Sequence, residues 1–292
     1  MDIKALRYFL AVAREENMTR AAETLHVTQP TLSKQLKSLE EELGKQLFIR
    51  HAFSIELTDE GQLLRKRAED LVEMADKITN EFSALDDIRG GDLYFGLAES
   101  YQIRYLARQI KEFKTVYPDL KFHITSGGTE QVLERLDKGI LDFAVLVETP
   151  DYSKYSVLEF PETDKWGVVV PKTHPLAKKK SVKADDLIGL PLFCSDQSWN
   201  ADIPRWAGSK MDRLKLEGSF QLAYNGAVFT SENLGVLLTF DKLVNTGAES
   251  SLAFVPLSPV LENKMYLVWK KHQVFSPIAE RFLSKMQDEL SQ

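Results

Sequence analysis

The sequence predicts an α/β protein that carries an all-helical segment at its N-terminus. Three observations predict it. Up to residue 57 the apolar residues recur at helical spacing, and residues 58–88 hold a longer apolar repeat without proline. From residue 92 onward, strand-like and helical segments alternate. The 292 residues, 43% hydrophobic and 27% charged, suffice for two or more domains with separate cores.

In the first helix, Leu6, Phe9, Leu10 and Ala13 fall at i, i+3, i+4 and i+7, the stripe of an amphipathic helix. A second short helix spans about 19–25, with Asn17 ahead of it as a cap. A third begins after Thr28, whose side-chain oxygen can accept first-turn N–H groups. Pro30 is tolerated there because a first-turn N–H has no intrahelical partner. Leu32, Leu36, Leu39 and Leu43 then form one stripe, which must pack on the first two helices. At about 100° per residue, Pro30, Ser33, Lys34 and Lys37 fall on the opposite, outward side.

Along the long helix, Leu64, Ala68, Leu71, Ala75, Ile78, Phe82 and Leu85 alternate spacings of 4 and 3. That is a heptad seam, and burying it takes a partner helix. A single amphipathic helix lying on its own domain would show the same stripe. Gly90 and Gly91 break the pattern and make a natural hinge.

The strand candidates that follow are DLYFGLA, KFHITS, LDFAVLV, WGVVVP, LPLFCS, GSFQLA, GVLLTF, LAFVPL and MYLVWK. Helices are expected through Phe113, through Leu136 and over 276–290. Their alternation argues for largely parallel sheets, and their division into two runs argues for two small subdomains rather than one sheet.

Composition excludes several classes. No run of about 18 apolar residues offers a membrane span, and the start, Met-Asp-Ile-Lys, lacks a secretory pattern. The one cysteine, Cys194, cannot form an internal disulfide, which fits a cytoplasmic protein; it reads as a small buried apolar residue. Five histidines show no metal-ligand spacing. A phosphate-cradling loop of the P-loop type and a nucleophile elbow are both absent. The expectation is therefore a chain with no catalytic residues, no metal and no cofactor.

The helical segment has a coherent chemical reading. Two helices joined by the tight LHVT turn match a helix-turn-helix, whose second helix enters the major groove of double-stranded DNA. Gln29 can pair bidentately with adenine, Pro30 and Thr31 can touch a thymine methyl, and Lys34 can donate to guanine. Thr19, Arg20 and Arg50 are placed for phosphates, which position a protein without reading sequence. Thr28, Ser33 and Lys37 complete the same face. A solvated helix face is the plain alternative. The formal net charge of −6 means that any DNA affinity must be concentrated locally.

The stretch LRYFLAVAREENMTRAAETLHVTQPTLSKQLKSLEEELGKQLFIR, followed by LTDEG, resembles the N-terminal signature of LysR-type transcriptional regulators. Farther on, YPDLKFHI, GILDFAV and HPLAKK are similar to the family's ligand-binding half. The resemblance implies a winged helix-turn-helix over 1–58 and a dimerising linker helix over 59–89. It further implies an effector domain over 90–292, similar to periplasmic binding proteins. Subdomain I would take about 92–161 and 265–292, and subdomain II about 162–264. The implied partners are promoter DNA, a small-molecule effector and further copies of the chain, as a homodimer and often a homotetramer. One departure stands out: the wing, HAFSIE, lacks the glycine and basic residues usual there, leaving Arg50 as its firm cation.

By position, the resemblance puts the effector among Glu99, Ser100, Tyr101, Gly128, Thr129, Val147, Glu148, Ser195, Asn225 and Ala227. Backbone N–H groups at helix starts favour anions there, whereas Glu99 and Glu148 push the other way. Exposure at the rim of the cleft is an alternative for both glutamates. Two other readings of the chain are an effector-independent dimeric DNA binder, and a solute-binding or enzymatic domain with a helical appendage.

Overall fold

The computed structural model describes residues 1–51, 54–83, 89–147 and 150–290. It divides into two compact units, residues 1–86 and 87–292.

The first unit opens with helices α1 (Ile3–Glu15), α2 (Met18–Thr24) and α3 (Gln29–Leu43). Asn17 caps α2 by accepting the Thr19 and Arg20 N–H groups, and Thr28 caps α3 through the Thr31 N–H. Leu32, Leu36 and Leu39 are buried against Leu6, Phe9 and Ala21. Leu43 departs from the expected stripe and is 39% exposed. It ends the helix, and the left-handed Gly44 turns the chain away immediately after it.

Strands β1 (Phe48–Arg50) and β2 (Ile55–Leu57) then pair antiparallel. Helix α4 (Asp59–Ser83) follows and is tied to α1 by the Arg7–Asp76 ion pair. Ala68 is fully buried in this unit's core, with Leu64 and Val72 packed against it. Leu71, Ile78 and Phe82, on the same expected seam, are instead 44%, 48% and 69% exposed. Ala75 is partly exposed, and Leu85 lies outside the described residues. The seam is therefore divided: its first turns lie on their own domain, and its later turns are open.

The second unit contains β3 (Gly90–Leu97), α5 (Ile103–Val116), β4 (Asp119–Ser126), α6 (Thr129–Asp137), β5 (Phe143–Leu146) and β6 (Tyr155–Pro171). After these come β7 (Pro191–Cys194), α7 (Asp196–Asn200), α8 (Asp202–Ala207), β8 (Lys215–Ser219) and α9 (Ala223–Ser231). The unit closes with β9 (Val236–Phe240), β10 (Leu252–Pro256), β11 (Glu262–Lys270) and α10 (Pro277–Leu290).

One strand path runs β4-β3-β5-β11-β6-β9-β7-β8, with β10 also on β6. Residues 155–165 of β6 pair with β11, and residues 166–171 pair with β9 and β10. Two lobes thus share one strand, where two separate sheets were expected.

The expectation of largely parallel sheets is also corrected. β3 runs parallel to β4 and β5, and β7 runs parallel to β8 and β9, as crossover helices require. Every pairing made by β6 and β11 is antiparallel, because these strands cross back between the lobes. The segment GSFQLA is only partly strand: β8 ends at Ser219 and α9 begins at Ala223.

The start of α4 depends on a close approach. A Cβ on Gly61 would collide with the carbonyl oxygen of Leu47 and meet Leu57 Cδ2 at 3.0 Å. Gly61→Ala is therefore expected to destabilise the N-terminal unit by about 1–3 kcal/mol, the usual cost of overpacking. Thermal unfolding of the variant beside the parent checks it, and an unchanged midpoint contradicts it.

Candidate functional site

On the N-terminal unit, Thr19, Arg20, Thr28, Gln29, Pro30, Thr31, Lys34, Lys37 and Arg50 are all exposed, and Ser33 is partly so. The fold brings Gln29, Pro30 and Thr31 to the first turn of α3, with Lys34 and Lys37 one and two turns farther on. Several of these side chains are already engaged. The Thr28 and Thr31 hydroxyls lie 2.8 Å apart, Lys37 pairs with Glu41 at 3.6 Å, and Arg20 Nη2 donates to the Glu15 carbonyl at 2.6 Å. Arg50 ends β1, the first strand of a hairpin whose His51 N–H returns to Ser54 O at 2.9 Å. The hairpin tip, residues 52 and 53, lies outside the described residues.

In the C-terminal unit, a cavity of about 740 Å³ opens between the lobes. One lobe contributes Glu99 beyond β3, Gly128 and Thr129 at the start of α6, and Val147 beyond β5. The other contributes Ser195 and Gln197 at the start of α7, Phe220 and Ala223 ahead of and within α9, and Phe240 ending β9. Trp166, on the shared strand, meets Phe240 edge-on at 4.5 Å. The shape follows from parallel strands, whose C-terminal ends and following helix starts converge on one crevice.

Among the described residues, two side chains reach across the cavity. Glu99 Oε2 accepts the Ala223 N–H at 2.7 Å. Gln197 accepts the Thr129 N–H at 3.3 Å and donates to the Thr129 hydroxyl at 3.0 Å. Burial pushes the Glu99 carboxyl up from the usual carboxylate range, and the Ala223 N–H pulls the other way.

Beneath the cavity, Asn263 uses its full hydrogen-bonding capacity. Its amide nitrogen donates to Val147 O at 3.1 Å and to Asp202 at 2.9 Å. Its oxygen accepts from Trp166 Nε1 at 3.1 Å and from Arg205 at 3.2 Å.

Of the positions the resemblance implied, Glu99, Gly128, Thr129, Val147 and Ser195 line the cavity. Ser100, Tyr101, Asn225 and Ala227 do not, and Glu148 lies outside the described residues. The Ser100 hydroxyl is buried, donating to Asp164 and accepting the Gln102 N–H at 2.9 Å, so it caps the chain beyond β3. The Tyr101 ring is covered by Arg104 and Lys242. Ala227 packs in the core between α9 and β9, and Asn225, two residues earlier, is exposed.

Sequence reasoning missed Trp166, Gln197, Phe220, Phe240 and Asn263. None of them left a mark in the sequence: Asn263, for example, sits between Glu262 and Lys264 in the polar start of β11. Cys194 is buried, and burial pushes its thiol up, away from reactivity. Among the described residues, no group of three His, Cys, Asp or Glu could hold a metal, and no helix is long and apolar enough to cross a membrane.

A helix-turn-helix with a two-strand wing, joined in one chain to a two-lobed cavity domain, defines a ligand-responsive transcriptional regulator. Two family models match: bacterial regulatory helix-turn-helix protein, lysR family, over residues 3–62, and LysR substrate binding domain over residues 87–291. The chain belongs to the LysR family of transcriptional regulators. It is 28% identical to the Hca operon transcriptional activator HcaR of Escherichia coli, covering 100% of this chain and 99% of that one. It is 26% identical to the HTH-type transcriptional activator CmpR of Synechocystis, covering 94% and 91%. The crystal structure of CbnR, a LysR family transcriptional regulator, shares the fold with a TM-score of 0.79 at 20% identity, covering 100% of both chains. CbnR complexed with its target DNA gives a TM-score of 0.77 at 21% identity, covering 99% of both chains.

Asp164, the partner of Ser100, yields a pH prediction. It is buried, and that burial, with Asp241 nearby, lifts its carboxyl to about 6 against the pull of the Ser100 hydroxyl. The unfolded chain releases this proton near the ordinary value of about 4, while the folded chain holds it longer. This group therefore lowers stability as pH rises from about 4 through about 6. Asp164→Asn is expected to gain in thermal midpoint relative to the parent as pH rises from about 4 to about 7. A constant difference across that range would show that the carboxyl is not held protonated.

Proposed function

We propose that this regulator reads its operator through the outward face of α3 and binds a small-molecule effector in the cavity between the lobes. In this reading Gln29, Pro30, Thr31 and Lys34 contact base edges, with Thr28, Ser33 and Lys37 flanking them. Thr19, Arg20 and Arg50 hold phosphates. The observation that carries the DNA half is the exposure of the first turn of α3, while the leucine face of the same helix is buried. The naming of HcaR and CmpR as transcriptional activators, and a CbnR structure with target DNA, support it. Such a protein acts by binding rather than turnover, in the cytoplasm where its DNA lies.

Leu71, Ile78 and Phe82 support pairing of α4 with a second copy. Their exposure leaves an apolar stripe along one helix, and a two-fold axis would bury it against itself. A dimer, or a tetramer built from dimers, also compensates for a wing with one firm cation, because linked half-sites raise the effective concentration.

Two experiments test this reading. Gln29→Ala and Lys34→Ala are each expected to cost roughly 1–3 kcal/mol on operator DNA and much less on scrambled DNA. Arg50→Ala should instead weaken both DNAs alike and reduce the salt slope by about 1. Binding titrations at several salt concentrations separate the two classes, and equal losses on both DNAs for Gln29→Ala remove it from base readout. Leu71→Glu places a charge in the proposed helix pair. Sedimentation velocity should show a smaller species with weakened DNA binding, and an unchanged oligomer would exclude this stripe as the interface.

A further inference from the structure

The cavity between the lobes carries a charge pattern that bears on its ligand. Twenty-one described residues line it; three are acids, Glu99, Glu130 and Asp196, and none is lysine, arginine or histidine. Lys242, next in the chain to the lining residue Leu243, lies over the Tyr101 ring at 4.9 Å instead. Helix starts ordinarily make such a crevice attractive to anions. Here one N–H at each of three helix starts is already answered by the protein's own oxygens. Glu99 takes the Ala223 N–H at the start of α9, Gln197 takes the Thr129 N–H at the start of α6, and Ser195 takes the Ser198 N–H in α7. The position an anionic ligand would occupy at α9 is thus filled by Glu99 itself.

Beside these, the carboxylate that reaches across the cavity keeps acceptor capacity. Glu99 uses Oε2 on Ala223, and the half-buried carboxylate gains from a donor that offsets its lost hydration. Trp166 commits its N–H to Asn263 and so has no donor for an anion; it and Phe240, 3% and 5% exposed, give the cavity an apolar wall. We propose that the cavity selects a small organic cation, a protonated amine on an apolar or aromatic body, with Glu99 as its counter-ion. This rests on the reading of the cavity as the effector site.

The test uses full-length protein and two pairs of probes matched in size and opposite in charge: phenethylamine with 3-phenylpropanoate, and hexylamine with hexanoate. Binding is measured by calorimetry at neutral pH and fixed salt. Gly128→Phe serves as a plug for the cavity. The backbone at Gly128 is extended, with φ −67°, and a Cβ there meets only Gln197 Oε1, at 3.7 Å. Its melting temperature checks that it folds.

In at least one pair the amine is expected to bind at least about tenfold more tightly than its carboxylate, the worth of one charge-assisted hydrogen bond. Gly128→Phe should abolish that binding. Glu99→Gln, which keeps an acceptor for Ala223, should lower amine affinity by about tenfold. A carboxylate that binds as tightly as its amine or more so, and is blocked by Gly128→Phe, overturns the charge assignment and leaves the cavity reading standing. Failure of all four probes to bind, or binding indifferent to Gly128→Phe, overturns both. The probe comparison on the parent protein decides the charge question even if a variant fails to fold.

Discussion

At Lys165 and Trp166 the strand β6 leaves β11 and takes up β9 and β10, so two lobes must be joined where one ladder ends and another begins. Polar groups at such a crossing are buried and need partners, because an unpaired buried donor or acceptor costs about 1–3 kcal/mol. Asn263 meets that need. One side chain ties the end of β5, the Trp166 indole on β6 and two residues of α8. The cavity depends on this joint, since Val147 and Trp166 are both held by Asn263 and both line the cavity floor. The walls follow from parallel ladders on either side, which deliver loops and helix starts to the same crevice.

The N-terminal unit solves a different problem. An acidic chain that must approach DNA has to confine its attraction to one small surface. The buried leucines of α3 allow only one orientation of that helix, and its polar first turn then faces outward. The same economy shapes α4. Its first turns complete the core of this unit through Ala68, and the later turns keep Leu71, Ile78 and Phe82 open. One continuous stripe in the sequence is therefore shared between two packing jobs.

Much of the fold was legible because local periodicity reports burial. The cap residues Asn17 and Thr28, the leucines of α3 and the strand–helix alternation after Gly90 each follow from spacing and side-chain chemistry within one element. The family signature rests on the same local information, read over the first 61 residues. The direction of β6 and β11 was not legible, because parallel and antiparallel strands share an alternating pattern and differ only in their neighbours. The first half of β6, residues 155–165, is too polar to read as a strand and is held there by β11.

For the cavity the division is sharper. The family resemblance pointed to Glu99, Gly128, Thr129, Val147 and Ser195, which line the cavity because each follows a strand or opens a helix. The same resemblance also selected Ser100 and Tyr101, which instead meet Asp164 or lie beneath Arg104 and Lys242, partners that spacing does not reveal. Gln197, Phe240 and Asn263 came only from the tertiary structure, since their partners lie from 58 to 116 residues away. By itself the sequence determined the N-terminal helices, the buried leucine face of α3, most of the strands and the family signature, because short-range spacing governs these. The tertiary structure decided which side chains meet across the lobes and which N–H groups remain free, because those depend on distances between residues remote in the chain.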